Sequence, residues 1–263
     1  MHAMETINRK TWRKPLSLRG YRTISGAIDA GEDHVLSLSL SENPASRVLD
    51  LGVGGGRTAD LFRGRVRSYI GIDYTPDMVE AARERHPDLT FYSMDARKLQ
   101  YDDGVFDLVF FSYNGIDAVD DEGRARVLSE AYRVLAPGGL FVFSTFNRAW
   151  FAFAPGHLVF DVPTSANPLR MGLRLARFAS GALHARRLRK YEVRAEDHAI
   201  LLHPAHYYGI MVHATTVAQT RIELKRTGFA PDPLVFDRDA QPLLGEAGED
   251  IQYFHVLSRK PSG

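Results

Sequence analysis

Short apolar runs alternate with amphipathic stretches from residue 47 onward, which is the pattern of βαβ units around a parallel sheet. Five of the runs have apolar residues on both faces, as strands do when helices cover both sides of their sheet. They predict strands at residues 48–51, 69–73, 89–92, 108–111 and 140–143, and two further strands follow near residues 234–237 and 251–258. The chain is therefore expected to have an α/β fold.

Helix signals lie between these strands. Thr75, Pro76 and Asp77 supply an N-cap, a proline at the first helical position and an acid in the first turn. Residues 127–135 carry an apolar stripe with helical periodicity that stops at a Pro-Gly-Gly sequence. One stretch stays ambiguous, because the leucines at 36, 38 and 40 alternate with serines as in a strand, while their position before the first core strand favours a helix.

The regular alternation ends at Asn147. Residues 148–213 are richer in Arg, His and Pro and predict an insertion after the fifth strand that contains one helix and a pair of strands. The predicted helix is basic and amphipathic, with one side formed by Leu169, Leu173 and Ala176 and another by Arg170, Arg174 and Arg177. The alternation resumes with a helix at 216–226 that Gly228 closes. Residues 214–263 thus complete a core that begins at residue 35.

Composition narrows the function classes. The 263 residues include 33 Lys and Arg against 32 Asp and Glu, and no Cys, which excludes a disulfide scaffold and a cysteine nucleophile. A net charge of +1 argues against a dedicated nucleic-acid-binding protein. The apolar runs are far shorter than the roughly 20 residues of a membrane span, and the polar, basic start is not a secretory signal. We expect a cytoplasmic protein with no membrane partner; the sequence leaves the oligomeric state open.

The most informative stretch follows the first predicted strand, where Asp50 precedes glycines at every second position, Gly52, Gly54 and Gly56. Glycines let a backbone turn sharply and approach a ligand closely, and nucleotide-like ligands bind at the carboxyl ends of strands in such sheets. The dinucleotide fingerprint requires a further glycine where this chain has Arg57. An acid beside the turn repels a pyrophosphate and attracts an ammonium group. A nicotinamide-dependent oxidoreductase is therefore disfavoured.

The sequence Asp50-x-Gly52-x-Gly54-x-Gly56 resembles the first motif of the class I S-adenosylmethionine-dependent methyltransferases. The resemblance continues in order through residues 71–73, 93–96, 106–109, 133–139 and 258–260. It covers residues 45–147 well and 214–260 in outline, whereas the insertion matches no subfamily. It implies a Rossmann-like, seven-stranded, mostly parallel sheet with helices on both faces. It also implies S-adenosylmethionine as cofactor, under a cap made of an N-terminal lid (residues 1–34) and the insertion.

The resemblance assigns residues to the methionine and ribose ends of the cofactor. Asp50 and the glycine turn hold the methionine end, and Ser112, at the end of the fourth strand, lies beneath the sulfonium. Asp73 ends the second strand, where the family places an acid on both ribose hydroxyls; a carboxylate accepts two such bonds. Carboxylates around a cationic nucleoside are electrostatically favourable. The plainer alternative for Asp73 is a helix cap.

On the adenine side, the resemblance places Tyr74 and Met78 against the ring. Asp95 accepts a hydrogen bond from the adenine amine, and the backbone N–H of Ala96 donates to a ring nitrogen. Tyr21 belongs to a segment that folds over the cofactor in similar enzymes. Met78 as a core residue and Asp95 as a loop acid are the simpler alternatives.

Methyl transfer from a sulfonium needs donor and acceptor held in line, and a general base when the acceptor is a phenol or an alcohol. The loop after the fourth strand offers Asn114, and the insertion is dense in histidines. We predict that His206 or His203 faces the acceptor, with His157 in reserve. A structural histidine in a strand pair is the alternative for each of them.

Metal-dependent catechol methylation needs acid and amide ligands after the fourth and fifth strands. Asp117 and Asn147 are present, but the paired Asp-Asn after Phe146 is missing, so we predict no metal. Aromatic residues at the end of the fifth strand and in the insertion are candidates for an apolar acceptor pocket, and equally for the insertion's own core: Phe146, Trp150, Phe151, Phe153 and Tyr207.

The sequence thus predicts an N- or O-methyltransferase of a small-molecule metabolite. Two alternatives keep the cofactor. In the first, the basic helix between residues 170 and 194 contacts RNA or a protein acceptor. In the second, the chain binds S-adenosylmethionine without catalysing transfer.

Overall fold

The computed structural model describes residues 3–12, 28–44, 46–157 and 167–262. Seven strands form the main sheet, in the order β3-β2-β1-β4-β5-β10-β9. Their bounds are β1 (Arg47–Leu51), β2 (Ser68–Asp73), β3 (Thr90–Ser93), β4 (Phe106–Phe111), β5 (Leu135–Phe146), β9 (Leu234–Phe236) and β10 (Tyr253–Arg259). Only β10 runs antiparallel to its neighbours in this sheet. The predicted Rossmann-like, mostly parallel sheet of seven strands is confirmed.

Helices cover both faces of this sheet, because successive strand residues point to opposite sides. On one face lie α2 (Ala30–Glu42), α3 (Ala59–Phe62) and α4 (Pro76–Arg85), packed with Val48 and Leu108. On the other lie α5 (Asp121–Val134) and α7 (Val217–Thr227), packed with Leu49 and Val109. Gly228 ends α7 in the left-handed conformation, as predicted.

The ambiguous leucines belong to a helix. The carboxylate of Asp29 accepts from the backbone N–H of Glu32 at 2.8 Å, which caps the start of α2. Leu36 and Leu40 are buried against the sheet, and Leu38 packs beside them in part. Tertiary burial therefore decides a segment whose apolar spacing alone is that of a strand.

The insertion contains more than the predicted helix and strand pair. After the 3-10 turn Phe151–Phe153 come α6 (Pro168–Leu188) and a 3-10 turn at Arg189–Tyr191. An antiparallel sheet follows, of β6 (Val193–Arg194), β7 (Ala199–His203) and β8 (Ile210–Ala214). The strand β6 has two residues and no apolar alternation, so the sequence carries no sign of it. A helical turn, Ala205–Tyr208, joins β7 to β8.

The N-terminal helix α1 (Ala3–Trp12) is fastened to this second sheet. The buried amide of Asn8 donates to the carbonyl of Met211 and accepts from its N–H, both at 2.8 Å. Thr11 donates to the carbonyl of Gly209 at 2.6 Å. We call α1 and the described residues of the insertion the cap. No helix in the described part of the chain is long and apolar enough to cross a membrane.

Candidate active site

The glycine turn lies at the carboxyl end of β1, between β2 and β4. Gly52, Gly54 and Gly56 all have positive φ, at 65°, 52° and 81°, which L side chains adopt only under strain. A Cβ at Gly52 would lie 2.7 Å from the ring of Phe111. A Cβ at Gly54 would meet no atom within 4 Å. A Cβ at Gly56 would lie 2.7 Å from the ring of His86. The turn is therefore packed tightly at both ends and open at Gly54, where a ligand can approach the backbone.

Asp73 fastens this turn to the end of β2. Its carboxylate accepts from the backbone N–H groups of Gly54 at 3.0 Å and Thr75 at 2.8 Å. Burial raises the pKa of Asp73, and the two N–H donors oppose that rise. The Asp73 carboxylate thus adjoins the open glycine and also caps the following turn. Its contact with ribose stays a prediction.

Asp50 lies beneath the turn and is fully buried. Its Oδ2 atom accepts from the hydroxyls of Thr58 at 2.5 Å and Tyr69 at 2.8 Å, while Oδ1 has no partner among the described residues. Burial raises the pKa of Asp50 to about 7, against the effect of these hydroxyls. The structure gives Asp50 a role in holding the turn. Its predicted contact with the methionine end remains a prediction.

A buried ion pair that we did not predict lies beside the turn. The guanidinium of Arg57 donates to Glu32 of α2 at 2.7 and 3.1 Å, and both side chains contact the hydroxyl of Ser112. Arg57 also lies 5.2 Å from the ring centre of Tyr113. The residue that breaks the dinucleotide fingerprint thus joins α2 to the end of β4. The acid at 32 was missed because its helix was ambiguous in sequence.

The predicted adenine side faces the N-terminal helix. Arg97 holds the carboxylate of Asp95, with its Nε 3.0 Å from one oxygen, and also reaches Glu5 of α1. The ring of Tyr74 lies edge-on to Trp12 at 6.0 Å.

The other predicted adenine residues differ in their surroundings. Met78 is buried, while Ala96 is half-buried against the core. The adenine contacts of these two residues, of Tyr74 and of Asp95 stay predictions. Tyr21 lies outside the described residues.

The loop after β4 is strained. Tyr113 and Asn114 both have positive φ, at 54° and 56°. Such a conformation costs of order 1–3 kcal/mol per residue and persists only where the surrounding structure imposes it. The N–H of Asn114 donates to the hydroxyl of Ser144 at 2.8 Å. The buried amide oxygen of Asn114 accepts no hydrogen bond from a described residue. Strain and a spare acceptor coincide at this predicted site residue.

His203 lies in an aromatic cluster above the ends of β5 and β10. Its ring centre is 4.7 Å from that of Phe146, 5.8 Å from Trp150 and 6.0 Å from Phe153. Its Nδ1 accepts from the N–H of Ala205 at 3.1 Å, and its Nε2 lies 3.2 Å from the side-chain amide nitrogen of Gln252. Burial lowers the pKa of His203 to about 4. The ring is therefore neutral near pH 7.

The other residues of the predicted acceptor side are spread out. His206 and Tyr207 have positive φ in the turn after β7, where His206 is half-buried and Tyr207 half-exposed. Phe151 and His157 contact each other, ring to ring, at 5.8 Å on the exposed side of the insertion. Of the five predicted pocket aromatics, three surround His203 and two lie elsewhere.

Both residues considered as metal ligands bond within the protein. Asp117 is fully buried and accepts from Arg124 at 2.6 Å and from the N–H of Phe146 at 2.7 Å. The amide of Asn147 donates to the carbonyls of Gly248 and Ile251. That the chain uses no metal remains a prediction.

The residues present fit S-adenosylmethionine. Gly54 leaves room for a ligand against the backbone, Asp73 presents a carboxylate beside that space, and Asn114 has a spare acceptor. Anionic and acceptor groups suit a ligand that carries an ammonium, a sulfonium and two ribose hydroxyls.

Comparison with known proteins supports the same class. Residues 48–139 match the methyltransferase domain family. A "Probable S-adenosylmethionine-dependent methyltransferase" of Mycolicibacterium smegmatis is 35% identical over 146 residues, covering 54% of this chain and 55% of that protein. A demethylmenaquinone methyltransferase of Beutenbergia cavernae is 36% identical over 132 residues, covering 50% and 53%. This chain thus spans about half the length of the curated relatives it matches.

A solved structure shares the fold over a longer stretch. The 1,6-didemethyltoxoflavin-N1-methyltransferase of Burkholderia thailandensis, bound to its substrate and S-adenosylhomocysteine, aligns with a TM-score of 0.54 at 13% identity, covering 89% of this chain and 79% of that one. Residues 48–139 therefore resemble a methyltransferase domain, and the seven-stranded sheet has the fold of a methyltransferase of known structure. The relatives of at least 30% identity include proteins named as S-adenosylmethionine-dependent methyltransferases.

Proposed function

We propose that this protein transfers a methyl group from S-adenosylmethionine to a small, apolar, aromatic metabolite. The observation that carries the proposal is the opening at Gly54, bordered by the carboxylate of Asp73, at the same sheet edge as the aromatic cluster around His203. Methyl transfer needs donor and acceptor aligned near contact distance, and a donor site and an apolar acceptor site at one sheet edge support such an arrangement.

The lining of the acceptor side sets the class of substrate. Phe146, Trp150 and Phe153 form an apolar cluster in which Phe146 and Phe153 are buried, and the buried neutral ring of His203 adds no charge. Such walls favour an uncharged ring over a phosphate or a peptide. The names of two comparison proteins fit this choice, since one acts on a demethylmenaquinone and the other on a didemethyltoxoflavin. A further relative, from Geobacter, is named a ubiquinone/menaquinone biosynthesis C-methyltransferase, which adds carbon to nitrogen and oxygen as a candidate target atom.

In this mechanism the cofactor, when bound, supplies a methyl group already activated on a sulfonium. Asp73 would orient the ribose, and the amide oxygen of Asn114 would accept a hydrogen bond from the cofactor or the acceptor. The cap would exclude water. A base with a pKa of about 4 is too weak to deprotonate a phenol efficiently, so His203 orients the acceptor. His206 is half-buried and lies in the turn that follows β7, three residues after His203. It is the proposed base for acceptors that must lose a proton.

Calorimetry with S-adenosylhomocysteine tests the cofactor half. We expect Asp73→Ala to lose at least about 1.5 kcal/mol of binding free energy, or roughly tenfold in affinity, because hydrogen bonds to a charged acceptor are lost. Asp77→Ala is the matched control, since it removes an exposed acid four residues further on. No heat of binding with the unaltered protein would refute the proposal.

Mass spectrometry tests the acceptor half. Quinols, phenols and heteroaromatic amines are incubated with enzyme and cofactor, and products one methylene heavier are sought. We expect turnover of at least one of these ring compounds and a loss of turnover in His206→Ala greater than in His157→Ala. Methylation confined to RNA or protein would contradict the proposed acceptor.

A further inference from the structure

The helix α6 (Pro168–Leu188) presents an apolar face to solvent. Its outer residues recur every three or four positions, which places them along one side of a helix. They are Leu169, Leu173, Ala176, Ser180 and Leu183. The three leucines of this outer stripe are 74%, 55% and 56% exposed, and no described residue covers them.

The opposite side of α6 is already occupied. Ala185 is buried in a cluster with Ile200, Leu202 and Met211 of the insertion sheet. Gly181 passes close to the turn before β8, since a Cβ there would lie 3.6 Å from that of Tyr207. The outer stripe is therefore a second apolar face that the fold of this chain does not use.

The charge of this segment is of one sign. Residues 168–191 contain six Arg and one Lys and no Asp or Glu. Arg186 and Arg187 are exposed near the end of α6, next to the outer stripe. The partner of this face must contact the exposed leucines and the adjacent cations, Arg186 and Arg187, together.

We propose that the outer stripe and its arginines bind the surface of an anionic lipid bilayer, with α6 lying in the plane of the interface. Leucines enter the boundary between headgroups and acyl chains, and arginines meet lipid phosphates. A second copy of this chain would bring seven cations of each protomer together, and RNA would leave the leucines in water. The lipid surface is the partner that matches both features. This proposal revises our expectation of no membrane partner, and it does not depend on the cofactor.

The test is co-sedimentation of the full chain with vesicles, without cofactor. We expect binding to vesicles of phosphatidylcholine and phosphatidylglycerol in a roughly three-to-one ratio, and no binding to phosphatidylcholine alone. The double variant Leu173→Gln, Leu183→Gln is expected to weaken binding at least about tenfold, because two leucine side chains that would be partly buried in the bilayer are lost. Leu244→Gln is the matched control, since Leu244 is 88% exposed and lies outside the cap.

The charged half of the surface has its own variant. Arg186→Gln with Arg187→Gln is expected to weaken binding by roughly tenfold and to flatten its salt dependence. Gln keeps the helix propensity of Leu and Arg, so thermal unfolding should match the unaltered protein in each case. The proposal would be overturned if the leucine variant bound vesicles as well as the unaltered protein does, or if the unaltered protein did not bind anionic vesicles. It would also be overturned if the chain formed a dimer that the leucine variant dissociates, or bound RNA in a way that the leucine variant leaves intact.

Discussion

The glycine turn and the cap meet at the same sheet edge but are held there in different ways. The turn is fixed by contacts between residues close in sequence, such as the bond from Gly54 to Asp73, 19 positions apart. The cap is fixed by bonds across most of the insertion and beyond, such as the pair between Asn8 and Met211, 203 positions apart. Because its hydrogen bonds are local, the cofactor side can be predicted from a sequence motif. The acceptor side depends on bonds between distant residues and can be described only once the whole chain has folded.

The buried ion pair between Asp117 and Arg124 should respond most strongly to mutation. We expect Asp117→Ala to cost about 3–5 kcal/mol of the free energy of unfolding, because it leaves the buried charge of Arg124 without this partner. Urea denaturation measures the cost. The control is Glu122→Ala, which breaks an exposed pair with Arg126 and should cost less than about 0.5 kcal/mol. Equal costs would show that the burial of Asp117 does not matter.

The next largest effect is expected from the hydrogen bonds between Asn8 and Met211, which fasten α1 to the insertion sheet. Asn8→Ala removes two hydrogen bonds and leaves the backbone of Met211 unpaired there, so we expect a loss of about 2–3 kcal/mol. Limited proteolysis should then cut near α1 faster. Lys10→Ala, on the exposed side of the same helix, should change neither stability nor the rate of cleavage. If the cap is held mainly elsewhere, Asn8→Ala will behave like that control.

The buried histidine predicts a dependence on pH. The pKa of His203 is about 4 when folded and about 6.5 when exposed, so the unfolded state binds more protons between these values. The neutral ring favours folding fully above pH 6.5, and this contribution is lost as the pH falls towards 4. At pH 5 the loss is about 2 kcal/mol.

The measurement is the free energy of unfolding of the unaltered protein and of His203→Gln at pH 5 and pH 8. Taking the difference between the two proteins removes the opposite effect of groups such as Asp50, whose pKa burial raises. Leu244→Gln, at an exposed position without a titratable group, is the control and should show no such difference. A pH-independent gap between the unaltered protein and His203→Gln would contradict burial of a neutral ring.

This contrast explains what the sequence predicted. The apolar composition of residues 48–51 and 69–73 is enough to predict that these strands are buried. The glycines of the turn, Gly52, Gly54 and Gly56, have the positive φ that their spacing in the sequence indicates. The partner of Arg57 lies on another helix, 25 residues away, and nothing local indicates it. The aromatic surroundings of His203 come from β5 and the segment after it, so its weak basicity follows only from the assembled fold.

The sharpest comparison uses two glycines that both adopt the left-handed backbone conformation. Gly54 and Gly64 both have positive φ, and a Cβ at either would meet no atom within 4 Å. Alanine at each should therefore cost about 1–2 kcal/mol of stability, since the left-handed conformation is unfavourable for an L side chain. Only at Gly54 would the new methyl group lie where the cofactor is proposed to approach the backbone. We expect Gly54→Ala to weaken binding of S-adenosylhomocysteine at least about tenfold in calorimetry, and Gly64→Ala to leave it unchanged. Equal affinities in both variants would mean that the open space at Gly54 serves no ligand, even if the turn itself is essential to the fold.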